Sequence, residues 1–299
     1  MFATNCGGEN ASGGPELLAE SFGPRDIRVN RSEVCWISDR SPWDSAVKCR
    51  PLAGGEQRTI SVLRFSGEAA PFFLTIDDGA AYWIQPELTP RSFQVMKAPL
   101  GGGEPEELAR TDDFCGGLEQ VGDFVYWMGG NGFFRVHKSG GPTVVLAMFD
   151  KPGTWFVTHG PNAFFKQAGW VTTIALEGGP PRQIAQLEAS PLAADDHHVY
   201  GSVHANRAGE DSVVAIPLTT GGPRTVATGQ TNPFGLASDG KHLYWAERFA
   251  GKLWKVPVGG GDAASVVATS PSAPSDIALD ERYLYWGDLS SNQVYRIRR

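Results

Sequence analysis

An aromatic pair returns along this chain at near-constant spacing. It is Cys35-Trp36, Tyr82-Trp83, Tyr126-Trp127, Phe164-Phe165, Tyr200-Gly201, Tyr244-Trp245 and Tyr285-Trp286, at intervals of 47, 44, 38, 36, 44 and 41 residues. That interval is the length of one four-stranded propeller blade. A unit so short cannot bury its own apolar faces and must stack on copies of itself. The spacing therefore restricts the chain to a repeat architecture.

The remaining parts recur in phase with the pair. A first strand precedes each turn, as in Leu74-Thr75-Ile76 before Asp77-Asp78-Gly79 and Gly235-Leu236-Ala237 before Asp239-Gly240. Asp-Gly supplies the positive φ of a tight hairpin. The aromatic strand follows. A third strand then ends in a glycine turn, such as Pro99-Leu100-Gly101-Gly102-Gly103, Ser139-Gly140-Gly141-Pro142 or Glu177-Gly178-Gly179-Pro180. A short aliphatic strand completes the unit, at 59–62, 107–109, 143–146, 183–185, 225–227 and 265–268.

The seventh unit stops at Arg299 without a fourth strand. The missing piece stands at the other terminus, where Gly13-Gly14-Pro15-Glu16-Leu17-Leu18-Ala19 reads as a glycine turn and a fourth strand. Residues 14–19 are thus expected to complete the last blade and cover its open edge. The fold class is all-β: a seven-bladed β-propeller of four-stranded blades. Residues 13–299 form one domain and 1–12 a flexible lead-in.

Register follows from counting. Facing Tyr244 with Lys255 leaves Phe249-Ala250 as a two-residue reversal. Tyr126 with Arg135 leaves Gly130-Asn131, Tyr285 with Arg296 leaves Ser290-Ser291, and Phe164 with Thr173 leaves Ala168-Gly169. Even loops agree with hairpin geometry.

Composition excludes some functions. A formal charge of -7 argues against a nucleic-acid binder, which needs a basic face. No apolar run approaches the roughly 20 residues of a membrane span. Four cysteines (Cys6, Cys35, Cys49, Cys115) are too few for a disulfide scaffold and form no C-x-x-C pair. The first residues lack the basic start and apolar core of a signal peptide. Cys35 fills the slot of Tyr82, Tyr126, Tyr200, Tyr244 and Tyr285, and Cys49 fills the slot that faces it. Facing β-residues lie about 4.5–5.5 Å apart, within reach of a disulfide. The spacing of 35 and 49 implies an odd loop or a bulge around Pro42-Trp43, so two separate buried thiols are the alternative. A disulfide would favour an oxidising compartment, and the expected location is extracytoplasmic, with the leader absent from this chain.

The strands Leu-Tyr-Trp-Ala-Glu at 243–247 and Leu-Tyr-Trp-Gly-Asp at 284–288 resemble the YWTD repeats of low-density-lipoprotein-receptor propellers. The Ser238-Asp239-Gly240 turn is similar to repeats of NHL and virginiamycin B lyase propellers. The chain departs from the YWTD pattern in counting seven blades where that family has six. Its acidic position is kept only at Glu247 and Asp288; Ser38, Gln85, Gly129, Gln167 and Val203 stand elsewhere. An interblade salt bridge is the role expected of Glu247 and Asp288. The resemblance implies a binding platform, or a lyase using a His and a Glu at the channel mouth, although no His here matches that motif.

No residue pattern marks a reaction. The six His residues show no H-x-E, H-E-x-x-H or Cys/His spacing, G-x-S-x-G is missing, and the glycine clusters precede no helix. No cofactor or metal is expected. The Tyr-Trp pairs are core, because propeller sheets pack through both faces.

The favoured reading is a monomeric, non-enzymatic platform for a protein, glycan or small molecule. The alternative is a lyase or hydrolase acting at the channel mouth. Second-to-third-strand loops and interblade segments open on one face, and function concentrates on such loops. Three of those loops are enlarged, at 38–45 (SDRSPWDS), 85–92 (QPELTPRS) and 203–211 (VHANRAGED). With the segments at 110–116 and 149–155, they present a candidate rim of Arg40, Trp43, Asp44, Glu87, Arg91, Trp155, His204 and Arg207. Trp and Arg are frequent interface anchors. Ordinary solvated loops are the alternative.

Overall fold

The computed structural model describes residues 13–41, 44–64, 72–88, 91–111, 115–205, 207, 209–219, 221–259, 263–269 and 273–299. Its 28 strands, β1–β28 in chain order, form seven four-stranded antiparallel sheets. No helix among the described residues is long and apolar enough to cross a membrane.

Blade 1 holds β2 (Arg25–Val29), β3 (Glu33–Ser41), β4 (Asp44–Pro51) and β5 (Arg58–Arg64). Blade 2 holds β6 (Phe72–Ile76), β7 (Ala80–Leu88), β8 (Arg91–Pro99) and β9 (Glu106–Thr111). Blade 3 runs from β10 (Cys115–Val121) through β11 (Phe124–Gly129) and β12 (Gly132–His137) to β13 (Val144–Met148). Blades 4, 5 and 6 open on β14 (Gly153–His159), β18 (Ala189–Ala194) and β22 (Pro233–Ser238). Blade 7 takes β26 (Pro274–Leu279), β27 (Tyr283–Asp288) and β28 (Gln293–Arg298), and its fourth strand is β1 (Glu16–Glu20). The N-terminal strand therefore closes the ring, with Glu16 opposite Arg296 and Leu17 opposite Tyr295. The bidentate Arg296–Glu16 pair at 2.8 and 2.9 Å reinforces that closure.

The core is divided among seven apolar clusters of described residues, each between two neighbouring blades. Strand alternation explains the aromatic pair. Tyr82 packs into the cluster shared with blade 3, whereas Trp83 packs into the cluster shared with blade 1. Tyr244 and Trp245 likewise serve opposite neighbours, as do Tyr285 and Trp286. Successive strand residues point to opposite faces, so one dipeptide joins a blade to both sides of the ring. Trp36, Trp83 and Trp245 are 0% exposed, and Trp127 and Trp286 are 1%.

All four registers hold: Tyr244 faces Lys255, Tyr126 faces Arg135, Tyr285 faces Arg296 and Phe164 faces Thr173. The reversals differ from the expected uniform pattern. The ladder runs to Gly129–Gly132 and Gln167–Trp170, leaving two residues, but stops at Glu247–Lys252 and Asp288–Gln293, leaving four. In the last of these, Asp288 Oδ1 accepts the amides of Ser290 and Ser291 at 3.1 and 3.0 Å, so a side chain shapes the turn. Glu247 accepts from Thr231 N and Trp254 Nε1 at 2.6 and 2.8 Å. These backbone and indole partners replace the interblade salt bridge expected of Glu247.

Turns between first and second strands carry a carboxylate strap. Asp77 Oδ1 accepts the amides of Gly79 and Ala80 at 2.8 and 2.7 Å, and its Oδ2 accepts the phenol of Tyr82 at 3.0 Å. Asp195 with Tyr200, Asp239 with Tyr244 and Asp280 with Tyr285 repeat the arrangement five residues apart. Gly240, directly after its capping Asp239, takes the expected positive φ of 78°, but Gly79, one position later in its own turn, does not.

In blade 1 both partners of the strap change together. Asn30 keeps the two amide bonds, to Ser32 and Glu33 at 2.9 and 2.8 Å. Cys35 stands where the phenol would be and is disulfide-bonded to Cys49, directly across the ladder. A register shift between Asp39 and Ser41 supplies the bulge that this spacing requires.

Candidate functional site at the channel mouth

The seven innermost strands β2, β6, β10, β14, β18, β22 and β26 surround an axial cavity of about 630 Å³. Each of them shifts register by a bulge against its second strand. The extra residue twists the strand as it enters the ring and aims a side chain off the ladder. Four bulge residues have left-handed backbones: Asp26 (φ 52°), Phe73 (φ 58°), Trp155 (φ 52°) and Gly235 (φ 55°). For Phe and Trp this geometry costs about 1–2 kcal/mol, and strain held at a cavity is a pointer to function. Gly235 meets a second constraint, since a Cβ there would lie 3.0 Å from Ile277 N.

The bulges build an aromatic collar from alternate blades. Trp155 meets Phe73 on one side and Phe234 on the other, both edge-to-face at 6.3 Å between centroids. Phe72 extends it, with its ring 5.1 Å from Phe73. Trp155 is 40% exposed, unlike the buried tryptophans of the repeat. First strands start at the interblade connections, so the collar lies at the end of the channel where those connections and the second-to-third-strand turns open. Phe22 (55% exposed) and Phe249 (73%) lie on a connection and a turn of that same end, and Met148 (66%) ends β13 there.

Below the collar, register defines one level of the channel. Arg28, Thr75, Glu119, Val157, Ala193, Ala237 and Ala278 lie opposite Cys35, Tyr82, Tyr126, Phe164, Tyr200, Tyr244 and Tyr285. Only Arg28 and Glu119 are charged, and alanines on blades 5, 6 and 7 leave the space that forms the cavity. Arg28 Nη1 donates to Asp276 Oδ2 at 2.7 Å and to Ile27 O at 2.8 Å. Arg25 holds Asp39 through two hydrogen bonds, at 2.6 and 3.1 Å. Glu119 forms no hydrogen bond with another described side chain. Burial pushes its carboxyl up to about 7, Asp276 adds to the rise and Arg28 opposes it. Burial also raises Asp26, against the pull of Arg25 and Arg28. Arg28 is itself held above its ordinary value: burial lowers it, but Asp276, Glu119 and Asp26 outweigh that.

Of the eight rim residues expected from the sequence, Glu87, Trp155, His204 and Arg207 have described side chains. Trp155 belongs to the channel collar. Glu87 lies in β7, hydrogen-bonded to Ser92 at 3.0 Å and paired with Arg110. His204 and Arg207 share the exposed connection between Val203 and Asp211, where His204 Nδ1 is 3.4 Å from Asp211 and Arg207 is 3.8 Å from Glu210. Arg40, Asp44 and Arg91 belong to β3, β4 and β8, but their side chains, like all of Trp43, lie outside the described residues. Two of the three enlarged loops are in fact lengthened hairpins, with ladders reaching Ser41–Asp44 and Leu88–Arg91. Continued backbone pairing absorbs the extra residues there. Reading the inner strands only as strands missed Phe73, Phe234, Arg28, Glu119 and Asp276. Their signal was present as charge inside short apolar strands, in Arg25-Asp26-Ile27-Arg28-Val29 and Leu118-Glu119.

No family model matches the chain. No curated protein matches it either. Among solved structures, virginiamycin B lyase from Staphylococcus aureus is similar, at 14% identity over 95% of this chain and 97% of that one, with a TM-score of 0.73. BamB from Moraxella catarrhalis is similar at 11% identity over 95% and 98%, with a TM-score of 0.60. A chain of the nidogen/laminin complex is similar at 15% identity over 77% and 89%, with a TM-score of 0.55. At these identities the likeness is one of fold: the chain is a seven-bladed β-propeller with a closed N-terminal strand.

Proposed function

We propose that the protein is a non-enzymatic binding propeller that receives its ligand at the collar end of the axial channel. The observation that carries this reading is Trp155, held half-exposed on a left-handed bulge over a cavity of about 630 Å³. Pockets of that size suit small ligands or a side chain of a larger partner. Phe22, Met148 and Phe249 add exposed apolar side chains at the same end of the ring. The disulfide supports an extracytoplasmic setting.

The test uses a neutral aromatic fluorophore, N-phenyl-1-naphthylamine. Saturable binding is expected, weakened at least about fivefold by Trp155→Ala at unchanged melting temperature. Equal binding by that variant would defeat the reading.

A lyase reading draws on the fold likeness, and one such structure is a catalytically inactive histidine-to-alanine variant of the S. aureus lyase with quinupristin. No histidine is among the described residues lining this cavity. Under the binding reading, quinupristin incubated with the protein keeps its mass and chromatographic retention.

A further inference from the structure

We propose that the channel site selects organic cations: an amine whose charged group reaches Glu119 and whose apolar body lies within the aromatic collar. The inference rests on the channel mouth being the binding site and adds the chemical class of what it takes.

The charge inventory of the cavity supports it. Arg25 is committed to Asp39, and Arg28 is turned toward Asp276. Arg248 belongs to the four-residue reversal between Glu247 and Lys252, at the mouth above the collar. Glu119 is left as the carboxylate at the lower level with no hydrogen-bonding side chain among the described residues. Val157 and the three alanines of that level offer space, and the counter-charge across the channel, Arg28, is already hydrogen-bonded to Asp276 at 2.7 Å. Deep in the site, the unsatisfied demand is thus for a cation or a hydrogen-bond donor.

The collar meets the same demand from above. Aromatic faces carry negative quadrupole potential and attract ammonium groups, Trp most strongly. Phe73, Trp155 and Phe234 come from three blades and surround the entry. A neutral aromatic ligand would gain from the collar alone, whereas an amine would gain from both collar and carboxylate. An anion would meet Glu119, Asp26 and Asp276 with both deep guanidinium groups already paired.

The experiment compares three probes of matched size: 2-phenylethylamine, 2-phenylethanol and 3-phenylpropanoate. Each is titrated into the whole chain at pH 8 and followed by ligand NMR. The amine is expected to bind at least about fivefold more tightly than either other probe. Glu119→Gln should abolish that preference while leaving 2-phenylethanol binding in place. Amine uptake at pH 7 should also release a proton, read in the wild-type chain by calorimetry in two buffers of different ionisation heat. Equal or anion-favouring affinities, with binding still lost in Trp155→Ala, would overturn the cation assignment and leave the binding site standing. Preference retained in Glu119→Gln, or no proton release, would also overturn it. Absence of any Trp155-dependent binding would overturn both readings.

Discussion

The phenol of Tyr200 donates to the carboxylate of Asp195, five residues upstream, at 2.6 Å. Asp195 also accepts the amides of His197 and His198, both at 2.9 Å, and reaches Ser238 of the next blade at 3.0 Å. Phenol, turn and neighbouring blade are thus joined at one carboxylate. Removing the phenol oxygen in Tyr200→Phe should destabilise the chain by about 1–2 kcal/mol, since a buried acceptor loses a donor. The measurement is chemical denaturation, with Phe164→Tyr as a contrast: blade 4 has His159 at the strap position, so a phenol there gains no carboxylate. A Tyr200→Phe variant as stable as wild type would show that the strap is incidental.

The straps also set an acid limit. Burial alone would raise Asp77, Asp195 and Asp239, but hydrogen bonds from turn amides and phenols outweigh it, with Lys138 helping at Asp77 and Arg299 at Asp239. All three lie below the ordinary carboxylate value. A carboxyl depressed on folding contributes stability above its unfolded pKa, and that contribution disappears as pH falls through the folded value. The stability that the straps contribute should therefore hold above about pH 5 and decline below about pH 4, read as melting temperature in a Glu119→Gln background that removes the opposing titration. Asp195→Asn should flatten part of that decline.

Glu119 has the opposite sign. Its folded pKa, pushed up to about 7 by burial, exceeds the unfolded value, so the folded chain binds the proton more tightly. Stability then falls as pH rises from about 4 to 7 and stays reduced above that. The charged groups acting on Glu119 across the channel are Arg28 of β2 and Asp276 of β26. Glu119→Gln should raise the melting temperature at pH 8 and change little at pH 4. An equal shift at both pH values would exclude the titration.

Cys35 and Cys49 close a loop with a sequence separation of 14. Loop-closure entropy for such a span is about 3 kcal/mol, so reduction should lower stability by that order. Thiol counting on the unfolded, unreduced chain should find two free thiols, from Cys6 and Cys115. Finding four would remove the disulfide.

Deleting residues 1–20 removes β1 and opens the edge of β28. It also strips Leu18 and Ala19, each 7% exposed, from the cluster containing Ile27 and Trp36. Leu18 burial by itself is worth about 2 kcal/mol. The deletion should lower the melting temperature by several degrees and promote self-association through the bare strand. A monomeric variant with unchanged melting would show that the ring needs no closure.

Blade number, strand pairing and ring closure were legible in the sequence, whereas the odd spacing of Cys35 and Cys49 left their facing open until the register shift between Asp39 and Ser41 decided it. Period-two alternation and even hairpin loops determine which residue faces which, and a missing strand at one terminus has one counterpart at the other. The channel was not legible in that way. Asp26, Phe73, Glu119, Trp155, Phe234 and Asp276 are scattered over six blades, and only ring closure brings them to one axis. Whether each inner-strand residue faces the axis or a neighbouring blade depends on a bulge, and one inserted residue reverses the alternation from which facing would be read. Packing between neighbouring blades places those bulges, as the 3.0 Å approach of a Cβ at Gly235 to the backbone of Ile277 shows. The lengthened hairpins at Ser41–Asp44 and Leu88–Arg91 escaped for a related reason: polar residues read as loop continue a backbone ladder when a neighbouring strand is there to pair with them.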